Sequence, residues 1–197
     1  METLTGLDRE PGSALPLLRQ LRFDTGSPAL NLLSTVGRRR SGAPIERMGT
    51  QGRLRDWLAG NGLAGVPVGP GELSAATELR EAAYQVLTGH GTEADVAVVD
   101  RWSSRATPGP GLRRRPDGAL ALEPPPASFE SLMSLLARDI AELAARPPEQ
   151  LRLCDFDECG TLYLDTSRGR RRRWCSMGRC GNVAKVTRFR ATREESS

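Results

Sequence analysis

Cys154-Asp155-Phe156-Asp157-Glu158-Cys159 and Cys175-Ser176-Met177-Gly178-Arg179-Cys180 hold every cysteine of this 197-residue chain. The two pairs share one internal spacing, C-x4-C, and 15 residues separate them. Two short-spaced cysteine pairs can supply four tetrahedral soft ligands, with little loop entropy lost inside each pair, which is what a structural zinc ion requires. Gly160 and Gly181 each follow the second cysteine of a pair, where a glycine lets the backbone turn tightly around the sulfurs. The four thiols could also form disulfides or carry an iron–sulfur cluster; the spacing favours one structural zinc ion held by Cys154, Cys159, Cys175 and Cys180. Four protein ligands leave no open position for catalysis.

Between the pairs, residues 162–165 and 171–175 read as two strands joined by Thr166-Ser167-Arg168-Gly169, and Ser176 opens a helix expected to run to about residue 193. Knuckle, hairpin, then a helix bearing the second pair is a treble-clef arrangement. Ten basic residues and no acid lie between Ser167 and Arg193, whereas the remainder carries 18 basic against 24 acidic residues. A cationic module on a mildly acidic body points to an anionic partner. Some of these cations must offset the charge of four zinc-bound thiolates and the acids Asp155, Asp157 and Glu158, but ten exceed that need. The nucleic-acid candidates are Arg168, Arg170, Arg171, Arg172, Arg173, Arg179, Asn182, Lys185, Arg188, Arg190 and Arg193. Arginine suits phosphate through its planar fork and permanent charge. Lys185 is the only lysine.

Upstream, the patterning is mainly helical. Ser27-Pro28 reads as a cap and first turn of a helix through Leu30, Leu33 and Val36, stopped at Gly37. Thr50 caps a second helix with Leu54, Trp57 and Leu58 on one face. Leu73, Ala76, Leu79, Ala83, Val86 and Leu87 mark a third, closed by Gly89; Val96, Val99 and Trp102 mark a fourth from about Glu93. Pro116-Asp117-Gly118 turns a small hairpin. Ser128 caps a long amphipathic helix stopped by Pro147-Pro148. The expected division is a loosely ordered segment 1–22, a mainly helical body 23–148 and a zinc module 149–197, an α+β chain overall.

Other chemistry is sparse. His90, the only histidine, follows a helix end beside glycines and reads as a loop residue. Asp24 and Asn31 fit a small-molecule pocket, but also ordinary turn and capping bonds, the favoured reading. Arg38, Arg39 and Arg40 read as a solvated basic loop. No phosphate-binding glycine loop or acid/base pair stands out, so the chain is not expected to be an enzyme. No apolar run approaches the roughly 18 residues of a membrane span, and the early acids Glu2 and Asp8 argue against a secretory leader. These features predict a cytoplasmic protein with no membrane partner. A composition rich in Gly, Pro and Arg hints at a GC-rich bacterial source.

The words Leu162-Tyr163-Leu164-Asp165-Thr166-Ser167-Arg168, Arg172-Arg173-Trp174-Cys175-Ser176-Met177 and Cys180-Gly181-Asn182, with the cysteine spacing, resemble the CGNR zinc finger. In the body, the run from Gly26 to Val36, Leu54-x-x-Trp57-Leu58 and Leu79-Arg80-Glu81-Ala82 resemble the ABATE domain that usually precedes this finger. The resemblance implies a bacterial, stress-related transcription regulator whose finger binds DNA and whose body serves assembly or sensing, with a small-molecule effector as the candidate ligand. One departure stands out: the final arginine of the signature is Val183 here, on the helix stripe shared with Arg179 and Arg190. The competing reading of the finger is a protein-docking module in an interaction adaptor.

Overall fold

The structure is a computed structural model that describes residues 18–123, 127–147 and 149–186. Element order is α1 (Pro28–Leu33), β1 (Val36–Gly37), β2 (Ile45–Glu46), α2 (Gln51–Gly60), α3 (Pro70–Leu87), α4 (Glu93–Ser103), β3 (Gly111–Arg114), β4 (Leu120–Glu123), α5 (Phe129–Ala144), β5 (Leu151–Leu153) and β6 (Leu162–Leu164). Among the described residues the strands pair only with their sequence neighbours, as three two-stranded antiparallel sheets. The chain is thus a helical body with small hairpins, followed by a cysteine-bearing module. No helix among the described residues is long and apolar enough to cross a membrane.

Local chemistry sets the helix starts. Ser27, Thr50 and Ser128 each accept a bond from a first-turn backbone N–H of α1, α2 and α5, satisfying donors a helix cannot pair internally. Pro28 and Pro70 occupy first-turn positions of α1 and α3. Thr92 and Asp95 cap α4 reciprocally. The apolar stripe of α5 (Leu132, Met133, Leu136, Ile140 and Leu143) is buried together with Trp57 and Leu79 in one core.

Three expectations are corrected. The first helix ends at Leu33 rather than at Gly37: Ser34 Oγ donates to Asn31 O at 2.8 Å and Thr35 Oγ1 to Leu32 O at 2.7 Å. Hydroxyls that take carbonyls in this way compete with helix continuation, and Val36 and Gly37 pair with β2 instead. Second, Val96 of α4 is largely exposed although Val99 and Trp102 are buried. Third, β6 pairs with β5, on the near side of the first knuckle, rather than with residues 171–175; Arg173 O instead accepts from Asp155 N at 2.9 Å.

The β5–β6 hairpin also ties the cysteine module to the body. Leu162 lies within the body's core, with Leu151, Leu153 and Leu164 packed against it. Leu164 N donates to Thr25 O at 2.9 Å. The β3–β4 hairpin is different: its residues are almost all exposed, Leu112 and Leu122 to about 70%.

Candidate metal centre

Each cysteine arrives from a different piece of local structure. Cys154 follows β5, Cys159 closes the 154–159 knuckle, and Cys175 lies in the bend it forms with Trp174. Cys180 lies in the wide turn Met177–Gly181, where Gly181 N reaches back to Ser176 O at 3.1 Å. That turn continues helically to residue 186, so the helix begins where the sequence places it. All four side chains are buried, none is in a disulfide, and their Sγ atoms lie within 4.8 Å of one another.

The sulfurs fit a metal. The separations Cys159–Cys175, Cys175–Cys180 and Cys180–Cys159 are 3.7, 3.6 and 3.5 Å, too long for a disulfide. A tetrahedron with Zn–S bonds of ~2.3 Å has edges of ~3.8 Å. The four cysteines therefore suit one structural zinc ion, whose contribution is to cross-link the module's four corners. Cys175 N donates to Cys154 Sγ at 3.4 Å, and Thr161 Oγ1 lies 3.2 Å from Cys159 Sγ.

The electrostatics split the four thiols: hydrogen bonding within the cluster, then burial, raises Cys154 and Cys180 above the usual thiol range. Hydrogen bonds from the neighbouring thiols, Cys154 foremost, hold Cys159 down to about 7 and Cys175 far below the usual thiol range, the latter aided by the Arg22 guanidinium. Arg22 was not a sequence candidate. It is 3% exposed and reaches the centre from the other end of the chain: Nη1 donates to Cys175 Sγ at 3.1 Å and Nη2 to Cys175 O at 3.3 Å. Asp24 orients it through Nε at 2.8 Å. Burial opposes its charge, yet Asp24 and Cys175 together hold the guanidinium above its ordinary value. Arg47, also buried, is pushed down to about 10 by desolvation and then by the nearby cations Arg179 and Arg22.

Around the metal corner, the two glycines act differently. Gly160 has φ +65°, and a Cβ there would meet Arg39 Cβ at 2.9 Å. Gly181 needs room: a Cβ would strike Met177 Sδ at 2.7 Å. Tyr163 is fully buried beneath the cluster; its hydroxyl donates to Arg172 O, and burial, then Cys154, pushes it up to about 12. Asp165 accepts from Ser167 Oγ, Ser167 N and Arg172 N at 2.6, 3.0 and 2.9 Å, fixing the loop between the cysteine pairs.

The basic residues divide. Arg168, Arg170, Arg171, Arg173, Asn182 and Lys185 are exposed. Arg170 lies 3.9 Å from Glu149, and Arg173 pairs with Asp155 at 2.8 Å. Arg172 turns inward, bonding Trp174 O and Cys175 O and stacking 4.7 Å over Tyr163. Arg179 is half-buried, and desolvation, then the charge of Arg22, lowers its pKa. Arg188, Arg190 and Arg193 lie outside the described residues. Val183 is exposed, as its outward stripe requires.

Residues 38–40 are not the solvated loop the sequence suggests. Arg39 N donates to Cys159 O at 3.1 Å and Arg40 N to Glu158 O at 3.3 Å; Arg38 pairs with Glu158. The Arg39 side chain bonds Glu81 at 2.7 Å and lies 4.2 Å over the Tyr84 ring, whose hydroxyl donates to Gly160 O at 3.0 Å. Arg38 holds φ +50° to make this join. Asn31 serves the turn, its Oδ1 accepting from Thr25 N and Oγ1. His90 is exposed beyond α3.

Two family models match the chain in tandem. Residues 26–147 match ABATE, described as "putative stress-induced transcription regulator", and residues 150–193 match the CGNR zinc finger. No curated protein matches. With the first match covering more than half of the sequence and the second enclosing the four buried sulfurs, the chain belongs to the ABATE family, with a carboxy-terminal CGNR zinc finger.

Proposed function

We propose that this protein is a cytoplasmic transcription regulator that binds DNA through the arginine-rich face of its zinc finger, a treble-clef-like module in which the metal is purely structural. The observation that carries the reading is the cationic run: from Ser167 to Arg193 no acid interrupts ten basic residues. Arg168, Arg170, Arg171 and Lys185, with Asn182, are exposed beside the metal corner. Exposed guanidiniums on a rigid module suit phosphate oxygens, and Asn182 suits a base edge. The inward contacts of Arg172 assign it to holding the module together rather than to DNA. The body suits a small-molecule effector: a cleft of about 710 Å³ is lined by Arg19, Leu21, Glu46, Arg47, Thr50 and Arg53, within the usual size range for such sites.

The test is binding of the zinc-loaded full chain to duplex DNA across a salt series, compared with a variant carrying Arg170→Ala, Arg171→Ala and Arg173→Ala. Each lost phosphate contact flattens the log–log slope by about 0.9. The expected result is salt-sensitive binding and a shallower slope in the variant. Absence of binding to any duplex at low salt would refute the reading in favour of a protein-docking finger, for which the exposed Met177, Val183 and Val186 would be the contact surface.

A further inference from the structure

A tetrathiolate zinc centre carries two net negative charges, and burying such a charge is costly unless something cationic is buried with it. The finger supplies many arginines, yet a guanidinium that donates to a ligand sulfur comes from residue 22, 153 positions before Cys175. We propose that Arg22 is an outer-shell component of the zinc centre, lent by the chain segment ahead of the body, and that it links metal occupancy to the seating of residues 18–25.

The geometry is that of a held group. Arg22 grips Cys175 at both Sγ and the carbonyl, while Asp24 clamps its other edge through Nε at 2.8 Å and Nη2 at 3.1 Å. The segment around it is fastened to the body by other means. Arg47 Nε donates to Leu18 O at 2.5 Å, and Arg53 Nη2 to Arg19 O at 2.9 Å. The Phe23 ring packs against Gly60, where a Cβ would come within 2.3 Å of it. Thr25 is held by Asn31 on one side and Leu164 N on the other. The segment therefore runs between the body and the finger, with one charged side chain buried at the metal corner. Outer-shell donors of this kind orient ligands and offset their charge. By linkage, whatever factor Arg22 adds to zinc affinity, zinc adds to the seating of the segment.

The full-length chain carrying Arg22→Met keeps the aliphatic stem and removes the charge; Arg22→Lys keeps the charge and loses the fork. Competition with a chromophoric chelator at fixed pH should show zinc binding weakened roughly 10–100-fold in the Met variant and less in the Lys variant. In the cobalt-loaded Met variant, the thiolate-to-metal charge-transfer bands should move to lower energy, because a sulfur relieved of a charged hydrogen bond gives up electron density more easily. Amides of residues 18–25 should exchange faster on chelation in the wild type. Zinc affinity within about twofold of wild type, with an unchanged cobalt spectrum, would reduce Arg22 to packing and overturn the proposal. Should the Met variant not fold, Asp24→Ala leaves every atom of Arg22 present and removes the carboxylate that clamps it. A measurable loss of zinc affinity there supports the proposal, and none overturns it.

Discussion

Leu162→Ala tests whether body and finger are one cooperative unit. Leu162 sits on β6, between the two cysteine pairs, yet it is 4% exposed within the core of the helical body. Truncation removes about three carbons' worth of burial, roughly 2 kcal/mol by transfer, and leaves a cavity lined by the helical core. The sum, about 3 kcal/mol, corresponds to a lowering of Tm by about 6–12 °C for a chain of this size. Differential scanning calorimetry of the zinc-loaded protein should show one transition, shifted as a whole. Chelation of the wild type should lower the same transition, because a finger stripped of metal loses the framework that presents Leu162 to the body. Two separate transitions, with the substitution moving only the chelator-sensitive one, would show that the finger folds alone and that its leucine contributes nothing to the body.

Two further outcomes follow from the metal corner and the helix behind it. Gly160→Ala places a side chain at φ +65° and within 2.9 Å of Arg39 Cβ; the conformational penalty alone is about 1–2 kcal/mol. Reduced thermal stability with near-normal thiol-to-zinc stoichiometry, measured by metal analysis, is expected; full stability would contradict the tight join between Gly160 and the 38–40 loop. Val183→Arg restores the family's arginine at an exposed position of the finger helix, and duplex affinity should rise with a steeper salt slope. Unchanged affinity would remove this stripe from the DNA face.

What could be read from the sequence was local. The four ligands announce themselves through two short spacings, and Ser27, Thr50 and Ser128 announce helix starts because a cap and the N–H it accepts from lie within four residues. The apolar stripe of α5 was equally plain. What stayed hidden depends on partners distant in sequence. Nothing near Arg22 signals Cys175, and nothing in three consecutive arginines signals that Arg38 and Arg39 meet Glu158 and Glu81. The strand partner of β6 was misassigned for a related reason: residues 171–175 have the right spacing for a hairpin, but Asp165 draws Arg172 N into a turn and the ladder forms with β5. Ser34 and Thr35 ended α1 early through side-chain bonds that periodicity does not register.

The scarcity of lysine has a practical side. Lys185 is the one side-chain amine in 197 residues, and it is exposed on the helix that follows Cys180. Arginine resists acylation under conditions where lysine reacts, so amine-directed reagents have a single internal address. A fluorophore or crosslinker attached there would report from the finger without a cysteine having to be engineered or a zinc ligand put at risk. Enzymatic acetylation would likewise have one internal lysine to act on, and would erase one cation from the surface assigned to phosphate.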